Sequence, residues 1–212
     1  IGFVDVAGPD PTASGTGLEA RIVSQMRESD ALAHVIRDFD NPVLNKACDL
    51  LRDFQAFESE LVLTDLLQVE TRLDRIKKEG KVTAERGLLE QLYGQLEAGK
   101  SLRGLSLLEN ELQMVAGFRF LSLKPCILVL NRTEVQAQPP EESFVKQAAE
   151  HGVEWISLCA TTEAEIAELA PEEQKAFLVE FGLADSARSR FIAQAYAQLK
   201  LISFLTAGPD EC

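Results

Sequence analysis

The sequence predicts an α/β fold, a mostly parallel sheet carrying an inserted antiparallel helical coiled-coil hairpin. Two patterns predict the sheet and one predicts the insertion. Short, continuously apolar runs suit parallel strands covered on both faces, and helical patterns alternate with them. Between these units lies a long, Pro-free, charge-dense stretch with heptad spacing, which is foreign to a sheet.

The strands expected are Ile1–Asp5, Ala31–Ile36 and Cys126–Leu130, with a weaker fourth at Val153–Leu158. Helices are expected at Leu18–Glu28, after a Gly-rich loop, and at Glu142–His151, after Pro139-Pro140. In the inserted stretch Val62, Leu66, Val69, Leu73 and Ile76 recur in steps of four and three. Gly80 interrupts that seam, and a second runs through Val82, Leu89, Leu92 and Leu96 to Gly99. Two seams with a Gly between them read as a hairpin. A first helix of about 30 residues would reach roughly 45 Å, far enough to project from the sheet domain; packing of the insertion along the body is the alternative. Helical spacing returns at Glu163–Leu169, at Pro171–Phe181, whose Pro171 suits a first helical position, and at Ser186–Leu199. The domain boundaries expected are 1–48 and 101–205 for the sheet domain and 49–100 for the hairpin.

Composition narrows the function. The 212 residues are 46% hydrophobic and 26% charged with a net charge of −13, which excludes a collagen-like chain, a disordered tail and a disulfide miniprotein. A cationic surface for nucleic acid is disfavoured, although a local basic patch fits within an acidic total. No apolar stretch approaches the roughly 18–20 residues of a membrane span, and the first residues lack a signal-peptide pattern. Cys48, Cys126, Cys159 and Cys212 are far apart without a CxxC, so no structural zinc site is expected and the compartment reads as reducing and cytoplasmic. Cys126 and Cys159 read as small buried hydrophobes.

Three strand ends carry the chemistry. Asp5-Val6-Ala7-Gly8 is a DxxG in which Asp5 can hold Mg²⁺ through a water and the Gly8 N–H can approach a γ-phosphate. Alone, the pattern reads first as an ordinary polar strand end. Asn131-Arg132-Thr133-Glu134 follows the next strand, at the carboxyl end where open α/β sheets bind ligands. An Asn there can meet a purine edge or brace neighbouring loops. After the last strand, Ser157-Leu158-Cys159-Ala160 offers small residues and N–H groups that can lie against a base. His34 and His151 read as structural, Trp155 as core, and Lys77, Lys78, Lys81 and Arg86 as either a phosphate contact or a solvated hairpin tip.

DxxG, NxxE and SxCA stand in the order of the last three nucleotide motifs of a GTPase-like domain. In its longer segments the chain resembles the Obg-like ATPase family, also called YchF, in the translation-factor class of P-loop GTPases and ATPases. Phe3-Val4-Asp5-Val6-Ala7-Gly8 is similar to FVDIAG, and Arg27–Arg37 to IRETDAIIHVVR. Leu51-Arg52-Asp53 with Glu60-Leu61 resembles the LRD…EL passage that opens the family's hairpin. Glu163–Leu169 resembles EAELAEL, and Phe204–Gly208 resembles FFTAG. These matches run from end to end in the same order.

The resemblance implies a P-loop NTPase-like sheet, of which this chain is a partial G domain. It implies ATP as the nucleotide, or GTP, with Mg²⁺, and a ribosome or RNA partner reached through the hairpin and a C-terminal domain. NxxE in place of NKxD goes with ATP use in the family. On this reading Asp5 belongs to the metal, Gly8 to the γ-phosphate, and Asn131, the Arg132 backbone, Glu134, Cys159 and Ala160 to the base. A phosphate loop is expected before Ile1 and a TGS-type domain from about residue 206. Departures are also plain: Pro9–Gly15 replaces the family's LVKGASKG, losing its Lys, and Asp38–Cys48 is shorter than usual. Pro9 supplies no side-chain amide to orient a water. The alternative is therefore a non-catalytic paralogue, an interaction scaffold that kept the sheet and hairpin.

Overall fold

The structure, a computed structural model, describes residues 2–6, 18–42, 47–80, 83–133 and 139–202. Three parallel strands form one sheet in the order β1 (Leu32–Arg37), β2 (Cys126–Asn131), β3 (Glu154–Leu158). The register pairs Leu32 with Cys126 and Arg37 with Asn131, and Asn131 in turn with Leu158, so all three strands end at one level.

Every β2 residue from Cys126 to Leu130 is buried, which explains its unbroken apolar run. One face of the sheet packs on α1 (Ala20–Glu28), the root of α2 (Leu50–Glu79) and α5 (Glu142–Glu150), through Met26, Phe54, Leu61, Leu128 and Phe144. On the other, Ile127, Val129 and Ile156 meet Ala195 and Phe191 of α8 (Ala187–Gln198). β1 departs from the expectation of cover on both faces. Leu32 and Ile36 are buried, but Val35, beside Val129 in the ladder, is 63% exposed, because α8 lies over β2 and β3 only.

The expected strand Ile1–Asp5 is corrected by the structure. Ile1 lies outside the described residues, and residues 2–6 are not part of the sheet. Phe3 and Val4 are each 67% exposed, with the Phe3 ring 6.0 Å from that of Phe191. An apolar run becomes a strand only where a ladder receives its N–H and C=O groups, and here no described strand pairs with it.

The long helix begins where Asp49 accepts the backbone N–H of Arg52 at 2.9 Å, and ends where Gly80 takes φ +68° and donates to Lys77 O. Thr83 caps α3 (Ala84–Glu97) in the same way through Arg86 N. Val62, Val69, Leu73 and Ile76 of α2 share one apolar cluster with Leu88, Leu89, Leu92 and Leu96 of α3, and Leu66 packs against it. Val82 lies outside the described residues. Toward the tip, Arg72 grips Glu85 with two hydrogen bonds of 2.8 Å, an interaction that holds the Glu85 carboxyl below its usual range.

The same cluster includes Leu102, Val115 and Phe120, from the segment that returns to the sheet. That segment contains α4 (Glu109–Val115), which the sequence pattern did not reveal. Its return is fastened by Asp65 of α2, which is fully buried and accepts Leu121 N, Ser122 N and Ser122 Oγ at 2.7–3.0 Å. Nearer the root, Glu58 pairs with Arg103, and Arg103 Nε donates to His151 O at 3.2 Å. The hairpin is thus seated on the body along the first half of α2. Past α5 and β3, the short helices α6 (Ala160–Glu168) and α7 (Pro171–Glu180) lead into α8.

Candidate functional site

The level strand ends bring together Arg37-Asp38 at the end of β1, Asn131-Arg132-Thr133 at the end of β2, and Cys159-Ala160 after β3. Their main chains are laced. Asp38 N donates to Asn131 O and Arg132 N donates to Leu158 O, each at 2.8 Å. These bonds continue the ladder one step beyond the strands, so the three turns leave the sheet as a unit.

Side chains complete the lacing. Asn131 Oδ1 accepts the Ala160 N–H at 3.0 Å, which meets one of the unpaired donors at the start of α6. This is the bracing role of Asn131, and it leaves the Nδ2 group as its donor. Cys159 occupies the position just before α6, and its thiol donates to Thr133 O at 3.3 Å. Thr162 Oγ1 donates to the sulfur at 3.2 Å, and Thr161 Oγ1 stands 3.1 Å from it. Burial pushes the Cys159 thiol up, but the hydroxyl and backbone hydrogen bonds of Thr161 and Thr162 together bring it below its ordinary value. Cys159 is therefore more than the small hydrophobe expected: buried, it joins two loops. By contrast, burial pushes the Cys126 thiol up to about 12, and that residue is core.

Arg132 places its side chain inward. Its side chain is only 5% exposed and its Nε stands 2.7 Å from Asp38 Oδ2. The Arg132 N–H is committed to Leu158 O. The sequence pattern carried no sign of the Asp38 partnership, since the pair joins the ends of two different strands.

Asp5 is exposed, and no group of three His, Cys, Asp or Glu side chains able to hold a metal occurs among the described residues. One carboxylate suits Mg²⁺ when nucleotide oxygens and water supply the remaining ligands. Gly8 and Glu134 lie outside the described residues. The structure thus gathers Asn131, Arg132, Cys159 and Ala160 into one constellation. His34 and His151 are structural, as expected. The His34 ring lies tilted against that of Phe57 with centroids 4.0 Å apart, and His151 follows α5 with its Nδ1 3.4 Å from Glu58. No helix among the described residues is long and apolar enough to cross a membrane.

No family model matches the chain. It is, however, 34% identical to the ribosome-binding ATPase YchF of Haemophilus influenzae over 99% of this chain and 61% of that protein. Against the ribosome-binding ATPase YchF of Bacillus subtilis it is 33% identical over the same shares. The YchF GTPase of Schizosaccharomyces pombe superposes on 94% of the chain with a TM-score of 0.81 at 23% identity, covering 58% of that structure, a likeness of fold. The chain spans about three fifths of the length of the curated relatives it matches.

Proposed function

For a chain that belongs by sequence to the Obg-like ATPase (YchF) family, we propose that it supplies the base-binding half of a nucleotide switch that uses ATP and associates with ribosomes. The observation that carries this reading is the bond from Ala160 N to Asn131 Oδ1. It fixes the Asn side chain against the start of α6, with Cys159 tied to Thr133 alongside. A side chain so held presents its Nδ2 donor to a purine edge without paying to order it at binding.

The remaining parts have stated roles. Asn131 meets the purine edge, Ala160 and Cys159 line its plane, and Glu134 braces the loop in place of the Asp that guanine readers carry. Asp5 would hold Mg²⁺ through water, and the Gly8 N–H would meet the γ-phosphate. When bound with the nucleotide, the ion neutralises phosphate charge, which matters in a chain of net charge −13. The hairpin is the surface for a ribosomal or RNA partner.

Calorimetric titration of the full-length protein with ATP and GTP, each with Mg²⁺, tests the reading. Tighter binding of ATP is expected, and tighter binding of GTP overturns the preference. Glu134→Asp combined with Arg132→Lys should move preference toward GTP. A second reading, binding without turnover in an interaction scaffold, is favoured by Pro9 after Gly8, which supplies no amide to orient a water. Single-turnover hydrolysis of bound ATP separates the two.

A further inference from the structure

We propose that the cavity between the end of α1 and α4 is a docking site for a protein partner, taking a segment in which a large apolar side chain stands beside a single carboxylate.

The cavity lies where the sheet domain meets the segment returning from the hairpin, the kind of junction at which ligand sites concentrate. It encloses about 310 Å³. Leu112, Val115, Ala116, Phe120 and Leu123 form its apolar wall. That wall continues onto open surface. Leu108 immediately precedes α4, and Leu112 lies one turn further along the same face. They are 65% and 37% exposed, whereas Val115, next on the stripe, is buried. The first half of the stripe is therefore open to water, beside a cavity of the same character.

The mouth sets the charge. Arg27, Arg119 and Lys124 line it against Glu28 and Asp30, a local excess of cations in a chain of net charge −13. Lys124 Nζ donates to Arg27 O and Ser29 O at the end of α1, which leaves one of its three protons. Burial pulls the Lys124 ammonium below its usual value; Asp30 opposes this and Arg119 adds to it, so the three charges share one field. Arg119 is exposed, and among the described residues no carboxylate forms an ion pair with it. An incoming carboxylate would relieve the repulsion between Arg119 and Lys124.

The mixed rim selects the occupant. A phosphate backbone brings charge along its whole length and no apolar body, so it would meet Glu28 and Asp30 and leave the wall wet. An amphipathic segment of a protein places its apolar anchor on the wall and its carboxylate at Arg119, which uses both features at once.

The test uses the full-length protein and two labelled amphipathic peptides. One is built from Leu, Ala and Gln with one Glu beside the Leu stripe, and its twin has Lys at that position. By fluorescence anisotropy the Glu peptide should bind about fivefold or more tightly than the Lys peptide, against the direction that the chain's net charge of −13 favours. Arg119→Glu should invert that preference. Leu112→Gln should weaken the Glu peptide about fivefold and leave the ratio between the peptides unchanged. Both side chains reach the surface, so neither change threatens the fold. Hydrogen exchange should slow within 108–124 when the Glu peptide is bound. Equal affinities, a tighter Lys peptide, protection elsewhere, or no binding of either peptide at millimolar concentration overturns the proposal. So does a full-length protein that self-associates until Leu112→Gln is introduced, since the occupant is then a second copy. An RNA duplex that protects 108–124 in place of the peptide overturns it as well.

Discussion

Arg103 and Glu58, 45 residues apart in the chain, form an ion pair in which both side chains are withdrawn from water. The same guanidinium donates to the carbonyls of His151 and Lys124 at 3.2 and 3.3 Å. One side chain thus ties the root of α2 to the turn after α5 and to the segment entering β2. Removing one member of a buried pair strands the other. Glu58→Ala should therefore cost about 3–5 kcal/mol of stability, seen as an earlier midpoint in urea with an unchanged slope. Replacing both residues by apolar side chains of similar size should cost much less.

Asp65 makes a related prediction with different chemistry. Burial raises its carboxyl above the ordinary value, opposed by hydrogen bonds from the backbone and hydroxyl of Ser122 and the backbone of Leu121. Asp65→Ala leaves two buried N–H groups without a partner, and a cost of roughly 2–6 kcal/mol is expected. Asp65→Asn keeps one acceptor oxygen and should lose less. Thermal unfolding of the two variants, compared side by side, checks the order.

Much of this fold was legible. β2 was read nearly to its ends because both its faces are buried, and the α2 seam because Asp49 and Gly80 punctuate it chemically. Residues 2–6 misled, since an apolar run shows a capacity for pairing and not the partner. Asn131, Cys159 and Ala160 stand out in the sequence because each follows a recognisable strand. Asp38, Glu58 and Asp65 were missed for one reason. Each is a single acidic residue whose partner is remote in sequence, and no spacing rule connects them.

Acid should act through His34. Burial lowers its pKa to about 4, against the opposing pull of the Glu58 and Asp53 carboxylates, while the unfolded chain keeps the ordinary value near 6.5. The folded value is the lower one, so the unfolded state binds the proton first as pH falls. Stability should then decline between about pH 6.5 and 4, by up to roughly 3 kcal/mol from this group, and level off below. Substituting Phe for His34, beside the ring of Phe57, should flatten that part of the stability profile; an unchanged slope would assign the acid sensitivity to other groups.

The last prediction separates the hairpin from the sheet. Leu73 of α2 is buried in the cluster shared with Leu88, Leu89, Leu92 and Leu96 of α3. Leu→Ala at such a site costs about 2–5 kcal/mol, and a buried, unpaired carboxylate costs more. Leu73→Asp should therefore release the outer part of α2 and α3 from each other. The strands need not follow, because their core of Leu128, Leu130, Phe54 and Phe144 shares no residue with the hairpin cluster. The root of α2 should also hold, fastened by Asp65 and Glu58. Hydrogen exchange on the variant should show lost protection from about Val69 through α3 and retained protection in β1, β2 and β3. If the strands lost protection with the hairpin, the Val115 and Phe120 contacts, which the hairpin cluster shares with the returning segment, would have to carry the disturbance inward. The hairpin and the sheet would then be one cooperative unit, and a load on the outer helices would reach the loops at the strand ends directly.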